Sequence, residues 1–227
     1  MHSHSHHKHS SRLRRADSMD VVIQYDKITN IEASKGELEN TYVVDIAANK
    51  CRSRIAFIDQ YQSADVYNLL QFHIHAPSEH TIDGKHYDAE LHLVHKDTDE
   101  DELAVIGVFF DRVKGGNRHN PFIESLRVND LRERDNMIVP EIPLVEELVR
   151  KLKTDKIYNY PGSLTVPPCG ENVNWIVVDD PQPISDEQLM ELKTYWSKNV
   201  EFAGGNGNNR EVQPLHDRII YVKGLHA

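Results

Sequence analysis

Three histidines carry the strongest chemical signal in the chain. His73 and His75 stand two apart inside the apolar run NLLQFHIH (68–75), and alternation along a strand turns both rings to one face. The next strand-like run, DAELHLVH (88–95), puts Glu90, His92 and Val94 on one face and Leu91, Leu93 and His95 on the other. His92 is therefore the natural third imidazole, and His95 is not. If Asp83-Gly84 is the centre of the turn between the runs, antiparallel partners have numbers summing to 167, as 83 and 84 do, so His75 faces His92 with His73 diagonal to it. HxH alone is a weak motif; the opposed third histidine gives it weight. Three neutral imidazoles with an open fourth position suit one catalytic Zn2+ per chain, whereas a structural site would be closed by a fourth protein ligand. Glu90, two residues before His92, is placed to accept a ligand N–H or to be a solvated strand carboxylate. The stretch HIHAPSE also fits HxHxxxE, in which Glu79 would join a mixed His/carboxylate set better suited to iron or manganese.

These residues need a sheet to hold them. VVIQY (21–25), TYVVDI (41–46), LAVIGVFF (103–110) and NWIVVDD (174–180) join the two histidine runs as short β-branched or apolar segments between polar, Gly- or Asp-bearing turns. Two helices are expected. PLVEELVRKLKT (143–154) spaces Leu144, Val145, Leu148 and Leu152 helically, and Ser185 heads DEQLMELKTYWSK with Gln188 three residues on, a capping box. GGNGNN (204–209) reads as a flexible loop. The pattern predicts a β-dominated α+β fold in a single domain over 20–227. Residues 1–19, with five histidines and no apolar periodicity, read as a disordered His-rich tail or tag.

Composition narrows the partners. A formal charge of −10 over 227 residues argues against nucleic acid or an anionic membrane surface. Neither a bilayer-spanning apolar run nor a secretory h-region is visible, so the expected location is cytoplasmic by default. Cys51 and Cys169 are too few for a disulfide scaffold and wrongly spaced for a zinc ribbon, so they read as free thiols; a bond between them would imply an oxidising compartment or a lost leader. Oligomeric state leaves no trace in the sequence.

The segment QFHIHAPSEHTIDGKHYDAELHLVHKD (71–97) closely resembles the zinc-site segment of the α-class carbonic anhydrases. The likeness continues in order through LAVIGVFF (103–110), YPGSLTVPPCGENVNWIV (160–177) and, more loosely, NNREVQPLHDRII (208–220). The resemblance implies a large, mostly antiparallel central sheet with a few peripheral helices, hydration of carbon dioxide to bicarbonate, and inhibition by sulfonamides. It makes His73, His75 and His92 the zinc ligands, with Gln71, Glu90 and the backbone near Asn208 as their hydrogen-bond partners. It makes Thr165 the hydroxyl that orients the attacking oxygen, its own hydrogen passing to Glu79. Val94, Val105, Leu164, Val173 and Trp175 match the family's apolar substrate pocket, and Val166 stands where many members carry a second hydroxyl.

The chain departs from the family in three places. The stretch before Val21 lacks the family's Trp-Gly-Tyr and Gln-Ser-Pro-Ile elements. Aligning ENTYVVDI with the strand that bears a proton-shuttle histidine puts Tyr42 near that position, where a phenol of pKa ~10 relays protons poorly at neutral pH. Cys169 matches a disulfide cysteine of secreted members whose usual partner lies in the absent stretch. Two rival readings remain: a non-catalytic carbonic-anhydrase-like binding or assembly module, although no zinc histidine is lost, and a cupin-type metalloenzyme built on HxHxxxE.

Overall fold

The computed structural model describes residues 20–35, 41–46, 52–59, 61–98, 101–132, 134–197 and 207–224. Thirteen strands run along these residues: β1 Asp20–Gln24, β2 Ile28–Ser34, β3 Val43–Asp45, β4 Arg54–Ile58, β5 Ala64–His75, β6 Thr81–Ile82, β7 Lys85–His86, β8 Ala89–Asp97, β9 Leu103–Phe110, β10 Asn136–Ile142, β11 Ile157–Ser163, β12 Glu171–Gln182 and β13 Tyr221–Lys223. Eleven form one sheet in the order β10-β2-β3-β5-β8-β9-β12-β11-β13, with β4 pairing the first half of β5 and β1 pairing β4. Every pairing is antiparallel except β9 with β12. The large central sheet expected from the sequence is there.

The helices are short: α1 Pro121–Ser125, α2 Val128–Leu131, α3 Leu144–Glu147 and α4 Asp186–Ser197. The twelve-residue helix expected over 143–154 is not formed. After α3 the chain tightens into a 3-10 turn, Val149–Lys151, and Leu152 is extended at φ −72°, ψ 133°. Leu144, Leu148 and Val149 are buried, so packing against the sheet is served by two broken turns. The capping box of α4 is present, with the Gln188 N–H donating to Ser185 Oγ at 3.1 Å and the Ser185 N–H to Gln188 Oε1 at 3.4 Å.

Alternation along the strands separates two cores. On one face Phe72, Ile74, Leu91, Leu93, Ile106 and Val108 join the main core; on the other, Val94, Val105, Phe109, Val173, Trp175 and Val177 form a smaller cluster. The Asp83-Gly84 turn is where the sequence placed it, with both residues at positive φ (50° and 74°) and Ile82 opposite Lys85. Its register does not extend into β5 and β8, however. There His73 faces His92 and His75 faces Glu90, partners summing to 165, because five residues (76–80) stand opposite three (87–89). The expected His75–His92 opposition is thus corrected by two residues, and an even shift leaves every side chain on its predicted face.

Among the described residues no helix is long and apolar enough to cross a membrane.

Candidate metal centre

β5 supplies His73 and His75, and β8 supplies His92. Their ring centroids lie 4.9, 5.2 and 4.7 Å apart, and one nitrogen from each falls within 4.8 Å of the others. The outward nitrogens decide which ones converge. His73 Nδ1–H donates to Gln71 Oε1 at 2.8 Å, His75 Nδ1–H to the Asn208 carbonyl at 2.9 Å, and His92 Nε2–H to Glu90 Oε1 at 3.0 Å. Each bond fixes a tautomer, so His73 Nε2, His75 Nε2 and His92 Nδ1 present lone pairs to a common point. Burial pulls the His73 imidazolium well below its ordinary pKa and lowers that of His75. Both rings are therefore neutral, as ligation requires. For His92 burial acts in the same direction, but the charge and hydrogen bond of Glu90, aided by Glu79, outweigh it and raise the pKa.

Two buried atoms at this point have no hydrogen-bond partner: His75 Nε2 and Glu79 Oε2, 3.4 Å apart. Buried polar atoms are rarely left so. An acceptor nitrogen beside a carboxylate oxygen is what a cation between the three rings, with a donor group beside it, would satisfy. The donor set of three imidazole nitrogens fits a first-row divalent ion.

Around the rings the structure holds a carboxylate hub. Glu90 is fully buried; its Oε1 accepts from His92 and from His80 Nδ1 (2.6 Å), and its Oε2 accepts the N–H groups of Glu79 and His80, both at 2.8 Å. Burial alone would raise its pKa, yet the charges and hydrogen bonds of His80 and His92 hold it well below the carboxylate range. His80 Nε2 in turn accepts from the Tyr160 hydroxyl. The trio His80, Glu90 and His92 lies close enough to suggest a second metal site, but its atoms are spent on one another. Neither Tyr160 nor Gly107 was expected at the site from the sequence, and His80 was not expected as a partner of Glu90. Gly107 lies opposite His92 on β9, and a Cβ there would come 2.8 Å from Glu90 Oε1. A glycine inside LAVIGVFF was the available signal, since a mid-strand glycine often marks a close approach.

The remaining predicted residues divide. Asn208 is buried and clasps the end of β5: its Nδ2–H donates to the Ile74 carbonyl and its Oδ1 accepts the Ala76 N–H. Glu79 is buried beside the rings, its Oε1 accepting the Arg210 N–H at 2.7 Å. Thr165 sits partly exposed in the irregular stretch after β11, and the expected bond between Thr165 and Glu79 is not formed. Arg210 reaches both sides of that gap, since its Nη1 lies 3.4 Å from Ser163 Oγ and from the Leu164 carbonyl. Val94, Val105, Val173 and Trp175 share the smaller apolar cluster and Leu164 packs against it, whereas Val166 is 39% exposed and outside it.

Tyr42 is a correction. Val43 is the residue opposite His73, so alternation turns Tyr42 to the far face, where it is fully buried and its hydroxyl donates to the Leu126 carbonyl at 2.6 Å. It does not face the imidazoles. Cys169 is a free thiol, and Cys51 lies outside the described residues.

An open three-histidine centre on the face of a large mixed sheet defines a class of metalloprotein, and the comparisons say which. The profile of eukaryotic-type carbonic anhydrases matches residues 9–224, and the chain belongs to that family. It is 37% identical over 153 residues to a carbonic anhydrase of Klebsiella pneumoniae, covering 67% of this chain and 56% of that protein. It is 36% identical over 158 residues to alpha carbonic anhydrase 3 of Arabidopsis thaliana, covering 69% and 53%. The chain thus spans about half the length of the curated relatives it matches. Among solved structures, it resembles a Chlamydomonas reinhardtii carbonic anhydrase in complex with acetazolamide at TM-score 0.73 and 27% identity, covering 91% of this chain and 83% of that one. An α-carbonic anhydrase of Thermovibrio ammonificans in complex with the inhibitor sulfanilamide matches at TM-score 0.65 and 32% identity, covering 91% and 82%.

Proposed function

We propose that the chain catalyses the reversible hydration of carbon dioxide to bicarbonate and a proton, with one zinc ion held by His73, His75 and His92. The observation that carries this reading is the set of three outward hydrogen bonds, to Gln71, Asn208 and Glu90, which leave three neutral nitrogens aimed at one point beside the unpartnered Glu79 Oε2. Zinc bound by three neutral imidazoles lowers the pKa of a coordinated water to about 7 and so supplies a nucleophile at neutral pH.

The protein's part is orientation and exclusion of water. Glu90 and Gln71 hold their rings in one tautomer and one rotation, so ligand geometry does not reorganise during turnover. Arg210 ties Glu79 to the Ser163 hydroxyl and the Leu164 carbonyl. A hydrogen bond donated by the Thr165 hydroxyl would give Glu79 Oε2 its missing partner and would leave the threonine oxygen free to accept a hydrogen from the attacking oxygen, orienting it toward substrate. Val94, Val105, Val173, Trp175 and Leu164 offer an apolar wall for a nearly apolar gas. Tyr42, buried on the opposite face, takes no part in proton release.

The test is stopped-flow carbon dioxide hydration by the full chain, before chelation, after it, and after zinc is returned. Activity that disappears with the metal and reappears with zinc is expected, together with inhibition by a primary sulfonamide. Tight zinc binding with no hydration would instead favour the binding-module reading.

A further inference from the structure

An open groove of about 750 Å3 crosses one end of the sheet, lined by none of the three metal-centre histidines. It lies where β5, β9 and β12 begin, and each of those strand ends brings one carboxylate to it: Asp65, Glu102 and Glu171. β8 stands between β5 and β9, so the row of acids covers three strand spacings, roughly 14 Å.

These charges are not neutralised from within. Asp65 and Glu171 form no ion pair among the described residues, and Glu102 accepts from the Tyr67 hydroxyl at 3.2 Å. Burial first, then the charges of Glu102, Asp97 and Asp65, push the Tyr67 phenol well above its ordinary pKa, a sign of the negative field at this end of the sheet. The far wall carries Arg210, His216 and Arg218, but both guanidiniums are spent on the chain's own oxygens. Arg218 donates to the carbonyls of Leu215, Pro214 and Pro161, and Arg210 to Ser163 Oγ and the Leu164 carbonyl. The unspent charge of the groove is therefore negative.

A second, independent observation calls for a hydrogen-bond donor. Asn159 lines the groove at 1% exposure. Its Nδ2 donates to Asn174 Oδ1 and to the Trp175 carbonyl, which fixes the amide, and its Oδ1 is left without a partner. Buried acceptors are rarely left so. Among these polar groups Phe57, Tyr67, Leu103 and Ile219 offer aromatic and aliphatic surface, suited to methylene groups and to a cation over a ring. A single metal ion does not fit, because carboxylates spread over three strand spacings cannot converge on one centre. A flexible chain with several positive charges can meet all of them.

We propose that this groove binds a linear aliphatic polyamine, its ammonium groups on Asp65, Glu102 and Glu171 and its methylene chain along Phe57, Leu103 and Ile219. An N–H of the same ligand supplies the donor that Asn159 Oδ1 lacks. The site uses no histidine of the metal centre and does not depend on the chain being a catalyst.

Calorimetric titration of spermidine into the full chain, first stripped of metal, tests it. One saturable site per chain is expected at about 0.05 M salt, weakening as salt is raised to about 0.5 M and the charges are screened. Asp65→Asn with Glu171→Gln removes two charges that hold no ion pair in the fold, and should lower the affinity at least about tenfold. The monoamine 1-aminobutane should bind at least about tenfold more weakly than spermidine, since it can meet only one carboxylate. Returning zinc should leave the affinity unchanged. Absence of a saturable site up to about 1 mM spermidine would overturn the proposal. An affinity that the double substitution leaves unchanged would do the same, because spermidine would then be following the chain's net charge of −10 and not this groove. So would binding that disappears when zinc and a primary sulfonamide fill the metal centre.

Discussion

His92 and His95 stand three apart on β8, both buried to within 1% of full enclosure, and they differ in almost everything else. His92 faces Glu90 and two other imidazoles, and the carboxylate raises its pKa against the effect of burial. His95 lies on the core face, stacked on Tyr25, accepting from the Tyr25 hydroxyl at 2.7 Å and donating from Nδ1 to the Ala104 carbonyl at 3.1 Å. Burial among neutral groups pushes its pKa down to about 4. Burial by itself therefore does not make a ligand. The same strand gives one face to a histidine cluster able to hold a metal and the other to a satisfied core residue, and the partners of the second ring nitrogen decide between them.

The contrast can be pressed from the core side first. His95 ordinarily titrates near 6.5 and in the fold near 4, so between those values the unfolded chain binds more protons. Its contribution is whole above about pH 6.5 and is lost as pH falls toward 4, up to about 3 kcal/mol. Urea unfolding at pH 7, 5.5 and 4.5 should show that fall shrinking in His95→Gln; an identical pH dependence in the variant would remove His95 from the account.

On the site face, Gly107→Ala should cost about 1–3 kcal/mol, because the added methyl meets a carboxylate that four donors hold in place. Displacing Glu90 should also weaken metal affinity by about tenfold, measured by chelator competition. Unchanged affinity would mean that Glu90 does not set the His92 ring.

The smallest effect belongs to Tyr42→Phe. Losing its bond to the Leu126 carbonyl leaves a buried acceptor unpaired, at a cost of about 1–2 kcal/mol in thermal or urea unfolding. Hydration activity, and its dependence on buffer concentration, should stay as in the parent chain. A kcat that falls with this change would return Tyr42 to the proton path.

Much of this was legible in the sequence, for a reason the register makes plain. Side-chain direction on a strand depends only on parity, so the grouping of His73, His75, His92 and Glu90 survived a pairing that was off by two. Tyr42 was lost on the same ground, since an uncertainty of one residue in aligning β3 flips the face. β2 and β13 escaped the pattern because their outer residues are polar or their runs short, as in ITNIEAS and YVK. β11, with Pro and Gly inside IYNYPGS, shows no alternation to read. Gln71 and Asn208 came from resemblance. Nothing local in GGNGNN announces that Asn208 will clasp a strand more than a hundred residues earlier, and Arg210 reaches Glu79 over the same range.

The central claim is that one face of β8 binds metal and the other does not. Zinc content and chelator-competition affinity of His92→Ala and His95→Gln test it most directly, measured on a chain whose five tail histidines are replaced by asparagine so that they bind no metal. One tightly held zinc per chain is expected in the parent and in His95→Gln, and a zinc content below about a tenth of that in His92→Ala, whose site keeps only two of its three imidazoles. Full zinc occupancy in His92→Ala, or its loss in a folded His95→Gln, would contradict it.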